Sequence, residues 1–315
     1  METILSIKNL NLFFGEYQAL YDINLNLEKG SIHALVGESG CGKTMTAMSI
    51  MRLIPKSAII KSGEIIFNNE NLLYYKEKQM RDLRGNKIAL IPQDPMTALN
   101  PLYTVGNQLI ESIRSHSKVS YNQAKRKARE VLDLVKIPNM ECKMDFYPHE
   151  FSGGMKQRII IAMALATNAQ LIIADEPTTA LDVTIQKQIM DLISDIKTTY
   201  GTTILLISHD LALVSNYADY ISVMYSGHIV EEAPSNIFFK NPLHPYSQAL
   251  INSLPTKNPV LKLKTIEGAP PNIQEQITGC KFHPRCDFCQ SNICKNQVPQ
   301  LIEKQQNHFS ACLIK

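Results

Sequence analysis

The stretch GESGCGKT, residues 37–44, follows an apolar run that is typical of a buried strand. Gly37, Gly42, Lys43 and Thr44 fill the four fixed positions of the pattern G-x-x-x-x-G-K-[ST]. Glycines allow successive backbone N–H groups to turn inward around phosphate oxygens, where a Cβ would block the approach. Lys43 would neutralise the phosphates, and the Thr44 hydroxyl would bind Mg²⁺. The predicted nucleotide-binding residues of this loop are Gly37, Glu38, Ser39, Gly40, Cys41, Gly42, Lys43 and Thr44.

An aromatic residue, Phe14, precedes a Gly-Glu turn upstream of this loop. A ring in that position is suited to stack on a nucleotide base. The alternative is a phenylalanine of the hydrophobic core, and the sequence leaves both open.

A second chemical element is the run Leu-Ile-Ile-Ala followed by Asp175 and Glu176. Four apolar residues that end in two acids predict a buried parallel strand with carboxylates at its C-terminal edge. Asp175 can hold Mg²⁺ through water, and Glu176 can polarise an attacking water molecule. Paired acids after a strand also serve as helix caps. This pair indicates a Mg²⁺ and catalytic site only because the same chain contains a phosphate loop.

Other polar residues also stand where strands or loops end. Gln93 follows the predicted strand 87–92, and His209 follows the predicted strand 203–208. In an α/β sheet these ends reach bound nucleotide and Mg²⁺. Ser152, with Gly153 and Gly154 after it, begins an apolar helix and combines a serine cap, bare backbone and a helix N-terminus.

The positioning elements are of two kinds. Residues 3–28 alternate between apolar and polar and predict antiparallel strands. Residues 102–150 change to helical spacing, with Ser120 as an N-cap, and predict a helical insertion.

Composition excludes several classes. The 315 residues carry a net charge of +3, too small to indicate a polyanionic partner such as nucleic acid. The N-terminal residues alternate and carry charges, unlike a signal peptide. The longest apolar stretch, residues 159–174, contains polar residues and falls short of a membrane span.

These motifs, in this order, resemble those of the ATP-binding subunits of ABC transporters over residues 3 to about 235. The resemblance assigns 151–155 as the signature and 180–182 as the Ala-Leu-Asp loop. Finer features resemble the oligopeptide/dipeptide/nickel importers: QDPMTALNP, YPHEFSGGMKQR, DEPTTALDVTIQ and the tail motifs HPYSQAL, EGAPPN and GCKFHPRC. Phe151 departs from the usual leucine of the signature, but the phosphate-contacting positions are intact.

The resemblance implies an α/β fold: a P-loop NTPase of ABC type with an antiparallel β subdomain, a helical subdomain and a C-terminal cysteine-containing extension. The implied domains are an ATPase domain over 1–235, with its helical subdomain at about 95–158, and an extension over 236–315. The implied activity is ATP hydrolysis with Mg²⁺ held by Thr44, Gln93 and Asp175.

The implied mechanism joins two subunits around two ATP molecules. Ser152, Gly153 and Gly154 would bind the γ-phosphate held by a partner, Glu176 would act as base, and His209 and Gln93 would sense the γ-phosphate. The implied partners are a second homologous ATPase subunit, two transmembrane permeases and an extracytoplasmic substrate-binding protein. The protein would lie peripherally at the cytoplasmic face of the inner membrane and import peptides.

The cysteine-rich tail holds a further candidate site. Cys280, Cys286, Cys294 and Cys312 resemble the pattern that holds an iron–sulfur cluster in some peptide-importer ATPases. Four thiolates also suit Zn²⁺, and the set could equally bind nothing. A [4Fe-4S] cluster, zinc and no ligand stay open here.

Three other functions compete with peptide import. Nickel or metal-chelate import is the nearest, because substrate choice lies in the binding protein and permease. A soluble ABC-type ATPase acting on nucleic acid or ribosomes is disfavoured by the mild charge and the single phosphate loop. An ordinary P-loop kinase would have no role for the Ser-Gly-Gly signature or for His209.

Overall fold

The computed structural model describes residues 2–179, 181–254 and 266–314. The chain divides into two compact units: the first consists of 1–73 and 207–315, and the second of 74–206. The predicted boundary near residue 235 concerns sequence domains and stays a prediction.

The strands and helices follow one another along the chain in this order: β1 (Thr3–Phe14), β2 (Tyr17–Glu28), β3 (Ile32–Val36), α1 (Lys43–Met51), β4 (Ala58–Phe67), β5 (Glu70–Asn71), α2 (Glu77–Leu83), β6 (Ile88–Ile91), α3 (Pro95–Ala98), α4 (Val105–His116), α5 (Tyr121–Leu134), α6 (Met140–Lys143), α7 (Gly153–Ala166), β7 (Leu171–Asp175), α8 (Val183–Tyr200), β8 (Thr203–Ser208), α9 (Leu211–Val214), β9 (Tyr220–Tyr225), β10 (His228–Pro234), α10 (Ser235–Phe238), α11 (Pro245–Asn252), α12 (Ser291–Cys294), β11 (Ile302–Gln305) and β12 (His308–Ser310).

An antiparallel sheet of order β2-β1-β4-β5 forms one part of the first unit. The predicted alternation of residues 3–28 is confirmed, since β1 and β2 pair in antiparallel register over nearly their whole length. Because apolar and polar residues alternate along these strands, one face of the sheet buries leucines and isoleucines while the other faces solvent. Asn68 and Asn69 make the turn after β4 with positive φ, as asparagine tolerates.

The first unit also contains five strands in the order β11-β12-β10-β9-β3. β3 pairs with β9 in parallel, and its five residues are all buried, which explains its unbroken hydrophobic character. The phosphate loop leaves the C-terminal end of β3 and leads into α1. β12 pairs with β10, so the cysteine-rich end of the chain adds strands to the sheet that carries the loop.

A buried carboxylate fastens this C-terminal part. Glu231 of β10 is fully buried and accepts hydrogen bonds from the backbone amides of Leu243 (2.8 Å) and His244 (2.7 Å). Its Oε1 also lies 2.7 Å from Nε2 of His308 in β12, which is equally buried. Because a buried carboxylate is costly without partners, these three bonds hold the segment before α11 and the strand β12 against β10.

The second unit contains strands in the order β8-β7-β6, with β8 ending across the unit boundary, and the helices α2 to α8. The predicted helical insertion is present as α4 and α5, which bury their apolar faces and contact α7. Ser120 caps α5 as predicted, accepting from the amide of Gln123 while the Gln123 side chain accepts from the amide of Ser120. α7 is apolar from Ile159 to its end, and nine of its residues are buried, Lys156 and Gln157 among them.

A polar chain in the first unit makes stability depend on pH. The Ser222 hydroxyl donates to Glu232 (3.1 Å) and lies 2.8 Å from Nε2 of His33. Burial raises the pKa of Glu232 to about 7, and burial lowers the pKa of His33 to about 3. Between the ordinary carboxyl pKa and pH 7 the folded state keeps a proton on Glu232 that the unfolded state has released. Stability from this group therefore falls as pH rises through that window.

We expect Glu232→Gln to remove that loss, because the amide stays neutral and can accept the Ser222 hydrogen bond. At pH 8 the variant should be more stable than the wild type by ~1–3 kcal/mol, and at pH 5 the gap should shrink. Urea unfolding at both pH values measures the effect. Glu64→Gln, at an exposed strand position, controls for loss of a charge; equal differences at both pH values would contradict the expectation.

Candidate functional site

The phosphate loop of the first unit depends on glycine at its ends. Gly37 and Gly42 have φ angles of 154° and 111°, which other residues rarely adopt. A Cβ on Gly37 would overlap the carbonyl oxygen of Met224 in β9, and one on Gly42 would lie 2.8 Å from Cδ2 of Leu20. The fixed glycines of the motif are therefore required by backbone angle and by space.

Lys43 begins α1, and its side chain is buried inside the loop. Its Nζ donates to the carbonyl oxygens of Gly37 (2.8 Å) and Glu38 (2.9 Å). Thr44 is the next residue of the helix and is half-buried. A buried ammonium at a helix N-terminus is the arrangement that binds polyphosphates.

The other loop residues differ in exposure. Ser39 and Gly40 are exposed, and Gly40 has a φ angle of 80°. Cys41 is buried, and burial raises the pKa of its thiol, so it adds no negative charge near Lys43 at neutral pH. Glu38 is half-buried, and its carboxylate pairs with Arg285.

A cavity of about 410 Å³ lies beside the loop within the first unit. Phe14, the last residue of β1, lines this cavity and is half-buried. Loop residues from Glu38 to Gly42 line it as well. The predicted aromatic and the predicted phosphate loop therefore face one cavity, as base stacking requires. That Phe14 stacks on a base stays a prediction.

The acidic pair lies in the second unit at the end of β7. Asp175 is 2% exposed, and Glu176 has a positive φ of 46°. The Glu176 carboxylate accepts hydrogen bonds from Nε2 of Gln93 (3.0 Å) and from the Thr179 hydroxyl (3.0 Å). The structure thus joins two residues predicted to act together. A strained backbone at such a carboxylate is typical of catalytic positions.

The signature residues begin α7, also in the second unit. Ser152 is the N-cap and accepts from the amide of Met155 (3.4 Å). Gly153 and Gly154 are half-buried, and a Cβ on Gly154 would lie 2.7 Å from Cγ2 of Ile185. Phe151 is buried and contacts the ring of Phe146, so its departure from leucine is absorbed by packing.

His209 follows β8 and is exposed, while Asp210 after it caps α9. Of the loop 180–182, Ala180 lies outside the described residues, and Asp182 caps α8 by accepting from the amide of Ile185.

The tail cysteines lie near one another. Burial raises the pKa of Cys280, and the nearby thiols of Cys294 and Cys312 add to the rise. Burial likewise raises the pKa of Cys286 to about 11. In the parts of the chain that the structure describes, no three His, Cys, Asp or Glu residues are arranged to hold a metal ion. Metal binding would require these thiols to lose their protons and to move together.

Two residues that contact the phosphate loop are not predicted from the sequence. Arg285 pairs with Glu38, and the hydroxyl of Tyr246 accepts from the Glu38 amide at 3.0 Å. Both belong to quoted tail motifs, HPRC and HPYSQAL, but nothing in their spacing points to a residue more than 200 positions earlier.

No helix in the described ranges is long and apolar enough to cross a membrane. The ABC transporter family model matches residues 20–179, and the model for the oligopeptide/dipeptide transporter C-terminal region matches residues 230–294. The chain is 46% identical to a protein of Sinorhizobium fredii named "Probable peptide ABC transporter ATP-binding protein", over 99% of this chain and 95% of that one. It is 44% identical to the oligopeptide transport ATP-binding protein of Bacillus subtilis, over 97% of this chain and 87% of the relative.

Solved structures agree on the fold. A dimeric ATP-binding cassette in a post-hydrolysis state with ADP and Pi superposes with a TM-score of 0.66 at 26% identity, covering 73% of this chain and 98% of that one. An ABC transporter component of Clostridium perfringens gives a TM-score of 0.67 at 26% identity, covering 76% of this chain and 92% of that one.

We expect Gly37→Ala to destabilise the fold by ~2 kcal/mol or more, because the new Cβ meets a carbonyl oxygen that a strand holds in place. Gly40→Ala is the matched control: it has positive φ in the same loop but no atom within 4 Å of its added Cβ. That control should cost only the backbone strain of about 1 kcal/mol. Urea unfolding measures both, and equal losses would contradict the steric argument.

Proposed function

This chain belongs to the ABC transporter family of ATP-binding proteins, and we propose that it hydrolyses ATP to power import of dipeptides and oligopeptides. Its full-length likeness to peptide-transport ATP-binding proteins supports the substrate class, as does the oligopeptide/dipeptide-type C-terminal region. Nickel import is the less supported alternative, because the relatives reported above are named for peptides.

The main support for ATP hydrolysis is the hydrogen bond between Gln93 and Glu176 at the end of β7. The bond orients a carboxylate whose backbone is fixed in the left-handed region next to the buried Asp175. In our proposal Glu176 takes a proton from the water that attacks the γ-phosphorus of ATP. Gln93 and His209 sense the γ-phosphate.

Phosphate binding falls to the loop of the first unit. Lys43 exchanges its two carbonyl partners for phosphate oxygens, and the amides of the loop donate to the rest. Mg²⁺ would be held by Thr44, Gln93 and Asp175, an all-oxygen donor set with one buried carboxylate, which suits this ion. When bound, Mg²⁺ neutralises charge on the phosphates.

The signature serine and glycines imply a second subunit. Ser152, Gly153 and Gly154 form a phosphate-binding helix start, yet the chain has one phosphate loop of its own. We propose that they bind the γ-phosphate held by a homologous ATPase, so that two ATP molecules lie between two subunits. Closure on ATP and opening after hydrolysis would then move the transporter.

The proposed assembly adds two permeases and an extracytoplasmic binding protein, with this subunit peripheral at the cytoplasmic face of the inner membrane. Purifying the tagged chain from membranes in mild detergent tests it. Two permeases and a second ATPase should co-purify, and their binding protein should bind peptides. Recovery of the chain alone or with ribosomes would refute the transporter, and a nickel-binding partner would refute the substrate.

The cluster of Cys280, Cys286, Cys294 and Cys312 is a separate part of the proposal. Their proximity supports a [4Fe-4S] cluster or Zn²⁺, although the thiols are not arranged as a metal site. Anaerobic purification with absorption spectroscopy and metal analysis should show a coloured or zinc-containing protein. A folded, colourless and metal-free protein would refute both.

We expect Glu176→Gln to lower ATP turnover by ~100-fold or more, because an amide cannot accept the proton. The glutamine oxygen can still accept from Gln93 and Thr179, so folding and ATP binding should persist and an ATP-bound dimer should accumulate. Steady-state ATPase rates and size-exclusion chromatography measure this. Lys43→Ala, which should abolish binding itself, is the contrast; wild-type turnover in Glu176→Gln would exclude its role as base.

We expect Phe14→Ala to weaken ATP binding by ~1–3 kcal/mol through lost base stacking. Phe13→Ala is the matched control, since the Phe13 ring lies under Nζ of Lys61 at 3.8 Å and does not line the cavity. Titration with a fluorescent ATP analogue measures both. Inorganic triphosphate, which has no base, should bind the wild type and both variants with equal affinity. An unchanged ATP affinity in Phe14→Ala would indicate that the ring belongs to the hydrophobic core.

A further inference from the structure

An ion pair joins the C-terminal extension to the phosphate loop. Nη1 and Nη2 of Arg285 donate to the two carboxylate oxygens of Glu38 at 2.7 and 3.0 Å. The arginine side chain is 6% exposed and the glutamate side chain 25% exposed. Two parallel charge-assisted bonds with little access to water are the strong form of this interaction.

The same guanidinium also holds the backbone of the extension. Its Nε donates to the carbonyl of Glu267 at 2.9 Å, and Nη2 donates to that of Gly268 at 3.1 Å. Nη1 lies 3.4 Å from the hydroxyl of Tyr225 at the end of β9. All three nitrogens of the guanidinium are thus in contact with acceptors, and a lysine ammonium could not make the same set of contacts.

A second contact fixes the main chain of the same loop residue. The Glu38 amide donates to the hydroxyl of Tyr246, whose ring is fully buried. That ring packs against Tyr225 and Phe282, with centroids 4.6 and 5.3 Å away. Phe282 is itself buried and lies three residues before Arg285. The extension therefore binds both the side chain and the backbone of Glu38.

The segment after Gly268 forms a wall of the cavity beside the loop. Residues 270–273 line it together with Phe14 and Gly40. Lys281 lines it too, with Nζ donating to the carbonyl of Ile277 at 2.7 Å. An occupant of this cavity that touches the phosphate loop therefore also meets the extension.

Charge explains why the loop needs Arg285. Glu38 places a carboxylate inside a loop that has to accept a polyphosphate, and an unpaired negative charge there repels the ligand. Arg285 pairs with that charge and also binds the backbone carbonyls of Glu267 and Gly268. The loop is then already ordered in the free protein, so nucleotide binding loses less conformational entropy.

We propose that the C-terminal extension is a built part of the nucleotide site and that Arg285 is its positioning residue, acting through Glu38. The proposal rests on the proposed ATP binding and adds a residue that the ATPase motifs do not contain. It assigns to residues 267–285 a role in nucleotide affinity, separate from any metal the cysteines hold.

The experiment is a double-mutant cycle on ATP affinity, read by titration with a fluorescent ATP analogue. Arg285→Met should raise the Kd about tenfold, because it leaves Glu38 unpaired beside the phosphates. Glu38→Gln should change it less, and Arg285→Met with Glu38→Gln should regain most of the loss. The tenfold effect should shrink as salt is raised. In ATPase assays the KM should rise with the Kd while kcat stays within about twofold.

The controls separate this inference from the function on which it rests. A wild type that does not bind ATP would refute the proposed function. Wild-type binding that Lys43→Ala abolishes and Arg285→Met leaves unchanged would refute only the role of Arg285. A double variant as weak as Arg285→Met would show that the arginine supports the fold alone. Metal content and thermal unfolding are followed in every variant, because Cys286 is adjacent.

A conservative variant covers the case in which Arg285→Met does not fold. Arg285→Lys keeps the charge but loses the fork, so the loop should remain neutralised and less well held. Its Kd should rise about threefold, less than that of the methionine variant. An unchanged Kd in a folded Arg285→Lys protein would overturn the positioning role.

Discussion

The phosphate-binding part of the first unit depends on a loop whose backbone needs glycine at its two ends. Gly37 sits against the carbonyl of Met224, so β9 sets how closely the chain can turn after β3. That turn delivers Lys43 into the loop, where its ammonium binds two loop carbonyls in place of phosphates. The ammonium can be buried there because it donates to two carbonyl oxygens.

The constraint extends to the far end of the chain. The buried Glu231 binds the start of α11 and His308 of β12, which keeps the C-terminal part in the same unit as the phosphate loop. Tyr246 of α11 then reaches the Glu38 amide, and Arg285 reaches its carboxylate. This C-terminal part of the first unit is therefore held by buried polar bonds, which are directional, as well as by apolar contact.

The second unit gathers the hydrolytic residues by a different device. β7 is buried throughout, so its end is a fixed point from which Asp175 and Glu176 project. Gln93 follows β6, which pairs with β7 in parallel, and parallel neighbours end at the same edge. The Gln93–Glu176 bond is the direct result of that register.

The sequence by itself determined the elements whose chemistry is local. The glycine pattern specified the loop around Lys43, the alternation of residues 3–28 specified two antiparallel strands, and Ser120 and Ser152 specified helix starts. Each of these follows from residues within one or two turns of the chain, where spacing and backbone preference decide the outcome.

Only the tertiary structure decided the contacts that join distant residues. Nothing in the spacing of Glu38 and Arg285 indicates that they meet, because the two residues are 247 positions apart in the chain. The burial of Phe151 is likewise decided by the tertiary structure. So is the arrangement of the tail cysteines, which forms no metal site among the described residues. Side-chain chemistry can be read from sequence, but the choice of partner requires the fold, since many partners of the same type compete along the chain.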